Sequence, residues 1–219
     1  MAHFASINGE QIVSGSFCFP YFGVWTGVVE LAVQSVPATA NLTIANLALT
    51  CKAYRTGAYG GDRKYLLVGG AGGWSTVVES QTYNDPSGIA LSIILRDVAS
   101  ACGERVTLTE DRIIRDKWVR AKAKGQEVLR SLLGSQWYVD TGGVTQCQDR
   151  TNVSTITTPF TVENFDPALG KVTIATEDLA SWMPGRKFSA PTMPDVRSIS
   201  DVSFTFGSSG KLRVECLTA

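Results

Sequence analysis

Hydrophobic and polar positions alternate along much of the first 82 residues, a pattern typical of β-strands with one buried face. Val29, Leu31 and Val33, for example, place their side chains on the same face of a strand. Turn residues such as Asn8-Gly9 separate the runs. This regular spacing predicts a β-barrel or a β-sandwich. The predicted strands cover residues 12–13, 17–19, 27–33, 42–50, 64–68 and 75–79.

The period changes after residue 83, where apolar residues recur at helical spacing from Ile89 to Cys102. Asp85-Pro86 is a favourable helix start, because Asp caps free N–H groups and Pro has no N–H to leave unpaired. Gly103 follows the last apolar position, where a left-handed residue often ends a helix. The pattern therefore predicts a helix that starts near Asp85 and ends before Gly103.

The middle of the chain has further helix and hairpin signals. Thr107-x-x-Glu110 has the form of a capping box, and a second helix is predicted from Lys122 to Leu133. Residues 137–147 predict a hairpin that turns on Thr141-Gly142-Gly143. Strands resume after this hairpin. They are predicted at residues 155–162, at 171–175, and at 202–206 paired with 212–216 across a turn at 207–210.

The order of elements is thus β, then two helices with a hairpin, then β again. This order predicts an α+β fold, predominantly β, in which a barrel or sandwich carries an inserted α+β segment with two helices. We expect the β-barrel-like domain to take its strands from both ends of the chain. The predicted boundaries are residues 1–82 plus 168–219 for that domain, and 83–167 for the insert.

The amino-acid composition indicates that the chain assembles with other chains. Charged residues make up 18% of the chain, against a typical ~25%, although it contains five Trp, nine Phe and six Tyr. A low charge with many aromatics indicates that partners cover part of the surface. An ordinary β protein rich in Thr, Val and Gly is the alternative.

Charge and targeting signals exclude several partners. The 20 basic and 20 acidic residues cancel, which argues against nucleic-acid recognition through a basic surface. The sequence predicts neither a signal peptide nor a transmembrane helix, so no membrane anchoring is expected. The five cysteines are scattered without C-x-x-C spacing, which favours reduced, packed thiols and leaves a disulfide open.

A search for chemistry finds no catalytic, cofactor-binding or metal-binding motif. His3 is the only histidine and stands near the amino terminus, which makes a histidine-based triad or zinc site improbable. The glycines between Gly69 and Gly73 follow a predicted strand, but no Gly-Lys-Ser/Thr completes a phosphate loop. A flexible connection, or a loop that orders against a neighbouring subunit, explains them better.

Two other classes of function stay open at this stage. Carboxylates such as Glu110, Asp111 and Asp140 could serve a cell-wall (peptidoglycan) hydrolase, although spacing in the sequence cannot show the required cleft. Exposed aromatics such as Trp25 and Trp74 could form the platforms of a carbohydrate-binding module. Core packing or a subunit interface is the more frequent role of such a cluster.

A series of short segments runs in order through most of the chain. Together they resemble the baseplate hub proteins of bacteriophage tails. The shift of Lys122 to Gly125, relative to a Gly expected earlier in that helix, is a departure from the family pattern. The segments are Ile7-Asn-Gly9, Val13-Ser-Gly15, Pro20-Tyr-Phe-Gly23-Val-Trp25, Val28-Val-Glu-Leu31, Val68-Gly-Gly-Ala-Gly-Gly-Trp74, Tyr83-x-x-x-x-Gly88, Leu91-Ser92-x-Ile94-Leu95-x-Asp97-x-Ala99, Gly103-Glu104, Trp118-Val-Arg120, Val128-Leu129, Trp137-Tyr-Val-Asp140, Gly143-Val-Thr145, Pro184-Gly185, Ile199-x-Asp201-Val202 and Leu212-Arg-Val-Glu215.

The resemblance implies a structural virion protein with tail-tube-like β-barrel domains and no enzymatic activity. It implies a homotrimeric ring that joins the tail tube to the spike or fibre apparatus. Other baseplate proteins and the tape measure protein are further candidate partners. The implied location is the virion tail, after assembly in the host cytoplasm.

For such a ring we expect subunit contacts in the Phe19–Trp25 segment and in the loop from Gly69 to Trp74. Packing within the chain is the alternative for both segments. The candidate contact residues are Phe19, Tyr21, Trp25, Gly70, Gly72 and Trp74.

Overall fold

The computed structural model describes residues 4–31, 39–55, 64–150, 154–191, 193, 195–207 and 212–218. The fold is α+β and predominantly β, as predicted, with a closed barrel and an inserted segment that carries two helices. His3 and Val33 lie outside the described residues, as does most of the predicted turn at 207–210. The boundaries predicted for two separate domains remain a prediction.

The first strands form a barrel. They are β1 (Ala5–Ile7), β2 (Glu10–Phe19), β3 (Thr26–Leu31), β4 (Thr39–Ile44), β5 (Leu47–Arg55) and β6 (Lys64–Gly69). Hydrogen bonding runs in the order β1-β4-β5-β6-β3-β2, and β2 pairs again with β1, which closes the ring of strands. Closure satisfies the edge strands that an open sheet would leave exposed.

Alternation along these strands fills the barrel. In β4 the residues Ala40, Leu42 and Ile44 are buried while the residues between them are exposed. The same alternation buries Val29 and Leu31 in β3, as the sequence pattern predicts. Because side chains of a strand point to opposite faces in turn, one half of each strand lines the core and the other half forms the outer surface of the barrel.

The last strands extend the same sheet. They are β14 (Thr161–Asp166), β15 (Lys171–Ala175), β16 (Lys187–Phe188), β17 (Arg197–Phe206) and β18 (Leu212–Thr218). Strand β17 pairs with β2, and the sheet continues through β18 and β15 to β14. The predicted partnership of residues 202–206 with 212–216 is confirmed, with Val202 opposite Cys216.

The insert contains short strands and both helices. The strands are β7 (Val77–Val78), β8 (Gln81–Asn84), β9 (Val106–Leu108), β10 (Lys117–Arg120), β11 (Ala123–Lys124), β12 (Tyr138–Val139) and β13 (Thr145–Cys147). Helix α1 spans Leu91–Cys102 and helix α2 spans Gly125–Leu133. Strands β12 and β13 pair antiparallel around the predicted turn at Thr141-Gly142-Gly143. Within the described residues, neither helix is long and apolar enough to cross a bilayer.

Both helices begin later than predicted. Asp85 caps a turn instead of a helix, because its Oδ1 accepts the N–H of Ser87 and its carbonyl accepts the N–H of Gly88. Helix α1 starts six residues after Asp85, at Leu91. Residues Ala123–Lys124 pair with Val77–Val78 as strand β11, so α2 starts only at Gly125.

Four other sequence predictions are also corrected. Thr107-x-x-Glu110 caps no helix, because Val106–Leu108 pairs with β13 in a parallel ladder. The single strand predicted at 42–50 is two strands, since Ala45 turns the chain with a φ of 49°. Of the strand predicted at 75–79 only Val77–Val78 forms, after a 3₁₀ turn at Gly73–Ser75. The strand predicted at 155–162 begins at Thr161.

A buried arginine ties the insert together. Arg120 of β10 donates to Asp97 of α1 at 2.8 Å and to the hydroxyl of Tyr83 in β8 at 2.9 Å. Its other nitrogens donate to the carbonyl of Glu79 and to the side chain of Gln81. With its donors paired, the guanidinium is a compensated charge inside the insert and holds β8, β10 and α1 in register.

The five cysteines are free thiols. Burial raises the pKa of Cys51, Cys147 and Cys216 to about 12, so their thiolate forms are scarce at neutral pH. We therefore expect a colorimetric thiol reagent to modify one thiol quickly in the native protein, the exposed Cys18, and all five after unfolding. Cys18→Ser should remove the fast phase alone. A native protein in which several thiols react at the same rate would contradict this expectation.

Candidate interaction surface

The glycine-rich loop wraps around a carboxylate of the same chain. Gly70 and Gly72 adopt left-handed φ angles of 76° and 73°, which turn the intervening backbone N–H groups inward. The N–H of Ala71 donates to Glu104 Oε2 at 3.1 Å, and that of Gly73 donates to Oε1 at 2.6 Å. A concave row of backbone N–H groups is an anion-binding nest. In this loop the anion is Glu104.

Glu104 reaches the loop from the end of helix α1. Gly103 ends the helix in the left-handed conformation, as predicted, and the N–H of Glu104 donates to the carbonyl of Ala99 at 2.8 Å. The side chain is thereby directed toward the loop, and the residue is only 8% exposed. The loop therefore joins the barrel to the insert through this carboxylate.

Burial raises the pKa of Glu104 above its ordinary 4.5, although the N–H groups of the loop and the charge of Arg105 oppose that rise. The folded chain thus holds the proton of Glu104 more tightly than the unfolded chain does. The contribution of this group to stability is full below pH 4.5 and is lost as the pH rises through the folded pKa.

We therefore expect the free energy of unfolding of the wild type, relative to Glu104→Gln, to decrease as the pH rises from about 4 to 7. Urea unfolding of both proteins across this range measures the difference. Glu110→Gln, at an exposed position, controls for the loss of a carboxylate elsewhere. A difference that grows with pH would mean that the loop stabilises the ionised form more than burial opposes it.

The tryptophans of the two predicted contact segments have buried side chains. Trp25 is 1% exposed, stacks on Phe19 with ring centroids 5.3 Å apart, and donates from Nε1 to the carbonyl of Asp140. Trp74 is buried as well and donates to the hydroxyl of Thr145 at 2.8 Å. These side chains link the barrel to the β12–β13 hairpin.

Tyr21 is half-buried and contacts Asp149 and Arg150, and we call these three residues together with Tyr138 the clamp. Its hydroxyl donates to Asp149 at 3.0 Å, and its carbonyl accepts from Arg150 Nε at 2.6 Å. Arg150 also lies 3.8 Å above the ring of Tyr138. Burial lowers the pKa of Arg150 to about 10, which leaves it protonated at neutral pH. The clamp fixes the backbone of the Phe19–Trp25 segment against the insert.

The structure thus places the six predicted contact residues as follows. Phe19, Trp25 and Trp74 have buried side chains, Gly70 and Gly72 are buried in the nest, and Tyr21 is half-exposed. As subunit contacts these residues remain a prediction. The solvent-facing parts of the same two segments are instead Phe22 and Ala71.

The two segments meet at an open groove of about 560 Å³ on the outside of the barrel. Phe22, 40% exposed, and Tyr54 of β5 both line it, and the hydroxyl of Tyr54 donates to the carbonyl of Gly72 at 3.1 Å. Arg130 of α2 is the charged residue among those that line it. The lining residues are Phe22, Gly23, Val24, Thr26, Tyr54, Leu66, Val68, Gly72, Trp74, Ser75, Gln126, Arg130 and Trp137.

The groove continues into an apolar row on the outer face of the barrel. Leu66 of β6 lies between Val28 of β3 and Tyr54 of β5 in the sheet register. Val28 is exposed, and Leu66 is half-buried. We call the groove and this row together the barrel groove. The alternating pattern could have indicated Val28 and Leu66 as outward positions, but only the fold brings Phe22 and Tyr54 beside them.

Comparison with known proteins gives structural neighbours only. No protein-family model and no curated protein sequence matches the chain. The c3393 protein of E. coli is described as a component of the type VI secretion system with structural similarity to the T4 bacteriophage tail proteins gp27 and gp5. It aligns with a TM-score of 0.66 at 8% identity, over 98% of this chain and 76% of its own.

Two further solved structures are similar over nearly the whole chain. A tail protein from Neisseria meningitidis MC58 aligns with a TM-score of 0.67 at 12% identity, over 98% of this chain and 94% of its own. The 43 kDa tail protein of prophage MuSo2 from Shewanella oneidensis gives 0.68 at 9% identity, over 98% and 96%. At these identities the likeness establishes a shared fold.

Proposed function

We propose that this chain is a structural subunit of a phage tail. Its copies form a homotrimeric ring in the baseplate hub that joins the tail tube to the spike or fibre apparatus. The observation that carries the proposal is the likeness to solved tail proteins over 98% of the chain, barrel and insert together. The resemblance of its sequence segments to baseplate hub proteins supports the same conclusion independently of the fold.

In this role the chain works through its surfaces and not through chemistry. Its partners are further copies of itself, the tail tube, the spike and other baseplate proteins, with the tape measure protein as another candidate. Its place is the virion tail, after assembly in the host cytoplasm. The barrel groove supports this role, because an exposed apolar groove on a rigid barrel is a feature of surfaces that partners cover.

The structure bears differently on the two alternative functions. A carbohydrate-binding module would need Trp25 and Trp74 as exposed platforms. Both side chains are buried, and their indole N–H groups donate to Asp140 and Thr145 of the same chain. Of the carboxylates named for a hydrolase, Glu110 and Asp111 do line a cavity of about 330 Å³. Asp111 is already engaged within its own chain, because its Oδ1 accepts the N–H of Ser92 at 3.0 Å.

The proposal is tested by the mass of the purified protein and by its presence in tails. Light scattering behind size exclusion at micromolar concentration should give three times the 23.5 kDa of one chain. Mass spectrometry should find the chain in tails isolated from the same virus. A protein that stays monomeric in solution and is absent from purified tails would overturn the proposal.

A further inference from the structure

The barrel groove is lined by a positively charged side chain, Arg130, that has no carboxylate partner among the described residues. Its floor and walls are mainly apolar and aromatic, and the described residues that line it include no carboxylate. Arg130, exposed at its rim, has no carboxylate within 4.0 Å among the described residues. The same holds for Lys52, which packs beside Gly72. This surface fits a protruding apolar side chain that is accompanied by negative charge.

The hairpin of β14 and β15 has that chemistry. Leu169 in its turn is 68% exposed, which makes it the most exposed of the large apolar side chains in the described residues. Residues 161–170 carry two carboxylates, Glu163 and Asp166, and no Lys or Arg. Lys171, which follows in β15 opposite Asp166, is paired with Glu215 of β18 at 3.0 Å. The hairpin therefore offers an apolar tip beside negative charge, complementary to the groove.

The tip is also held in a fixed shape. Asp166 Oδ1 accepts the N–H groups of Ala168 and Leu169 at 3.0 and 3.2 Å. The carbonyl of Gly170 accepts both the N–H and the hydroxyl of Thr218 in β18. A preorganised tip loses little freedom when it binds, which favours its use as a contact.

The two surfaces lie at opposite ends of the sheet. The groove faces outward from β3, β6 and β5, whereas the tip joins β15 to β14 at the other end of the strand order. Three strands, β2, β17 and β18, separate β3 from β15, so at about 4.8 Å per strand the surfaces are on the order of 20 Å apart. Two different surfaces, well separated on one subunit, make a heterologous contact that can close into a ring.

We infer that the barrel groove of one copy receives the β14–β15 turn of a second copy, with Leu169 in the groove and the hairpin carboxylates toward Arg130. This inference rests on the proposed function, because it names the contact by which the ring forms. In this contact the exposed Phe22 takes the place that the sequence analysis gave to Phe19 and Trp25 of the same segment, whose side chains are buried.

Two single variants and their mixture test the contact. Leu169→Asp puts a charge on the apolar tip, and Phe22→Asp puts a charge in the apolar groove. Each variant keeps the other surface unchanged. Light scattering should show each variant alone as a monomer. An equimolar mixture should give a heterodimer of one chain each and nothing larger, because only one pair of intact surfaces remains. Val119→Asp, at a position 63% exposed on the insert, is the control and should assemble like the wild type.

A charge exchange gives a second readout. Arg130→Glu should weaken assembly at least tenfold at low salt, and the double variant Arg130→Glu with Glu163→Lys should recover most of the loss. Circular dichroism confirms that each variant is folded. If the wild type forms a ring and Leu169→Asp forms it equally well, the inference is wrong and the ring stands. If the wild type is a monomer, the proposed function and the inference fail together.

Discussion

Replacing Trp25 by alanine is expected to lower the free energy of unfolding by about 3–5 kcal/mol, the cost of removing a fully buried aromatic side chain. Trp25 stacks on Phe19 within the barrel, and its indole N–H donates to Asp140 in the insert. The substitution therefore leaves a cavity at the junction of the two parts. It also removes a hydrogen bond between them.

Urea unfolding followed by circular dichroism measures this effect. Phe22→Ala is the matched control, because Phe22 belongs to the same segment but is 40% exposed, and its loss should cost less than about 1.5 kcal/mol. Comparison of the two variants also distinguishes a structural role of Trp25 from a carbohydrate-binding role. A carbohydrate platform at Trp25 would give a stable variant with weaker glycan binding, and equal stability of the two variants would contradict a buried junction at Trp25.

Gly73→Ala is expected to destabilise the protein by about 3 kcal/mol, the upper end of the cost of overpacking. A β-carbon at Gly73 would lie 1.8 Å from the carbonyl oxygen of Cys102, which is backbone at the end of α1 and cannot rotate away. The loop or the helix end must shift, and the hydrogen bond from the Gly73 N–H to Glu104 is strained with it.

Gly207→Ala provides the control for the change from glycine to alanine. A β-carbon at Gly207 meets no atom of the described residues within 4 Å, so its effect should stay within about 0.5 kcal/mol. Thermal unfolding of both variants against the wild type measures the contrast. A Gly73→Ala protein as stable as Gly207→Ala would show that the loop does not pack against the helix end.

Much of the fold could be predicted because it depends on patterns among residues that are close in the sequence. The alternation of Val29 and Leu31, and the pairing of residues 202–206 with 212–216, depend on neighbours that are close in sequence. Which strands pair to close the barrel could not be predicted, since β1 pairs with β4 and β3 pairs with β6 over long separations. The predicted start of α1 was wrong because Asp85 favours a capped turn as readily as a helix. The predicted start of α2 was wrong because Ala123–Lys124 pairs with a distant strand, β7.

The interaction surface was predicted less well. The two segments around Phe19–Trp25 and the glycine loop do border the barrel groove, but the aromatic pattern could not tell an inward Trp25 from an outward Phe22. Nothing in the sequence marks Glu104 as the anion of the glycine nest. That role depends on the packing of the end of α1 against a loop more than thirty residues earlier in the chain.

The glycine loop, the clamp and the buried tryptophans join the barrel to the insert. Such contacts suit the proposed ring subunit, because its two proposed contact surfaces must keep their relative positions for the ring to close. The residues that resemble a ligand-binding loop thus serve the internal junction of the subunit. We assign assembly to the exposed barrel groove and the β14–β15 turn.

Negative-stain electron microscopy of the purified wild-type protein at micromolar concentration tests the proposed ring most directly. We predict closed rings whose class averages show threefold symmetry. Fields that contain only single particles of the size of one chain, in a sample that light scattering shows to be monomeric, would contradict the proposal that this chain is a ring-forming subunit.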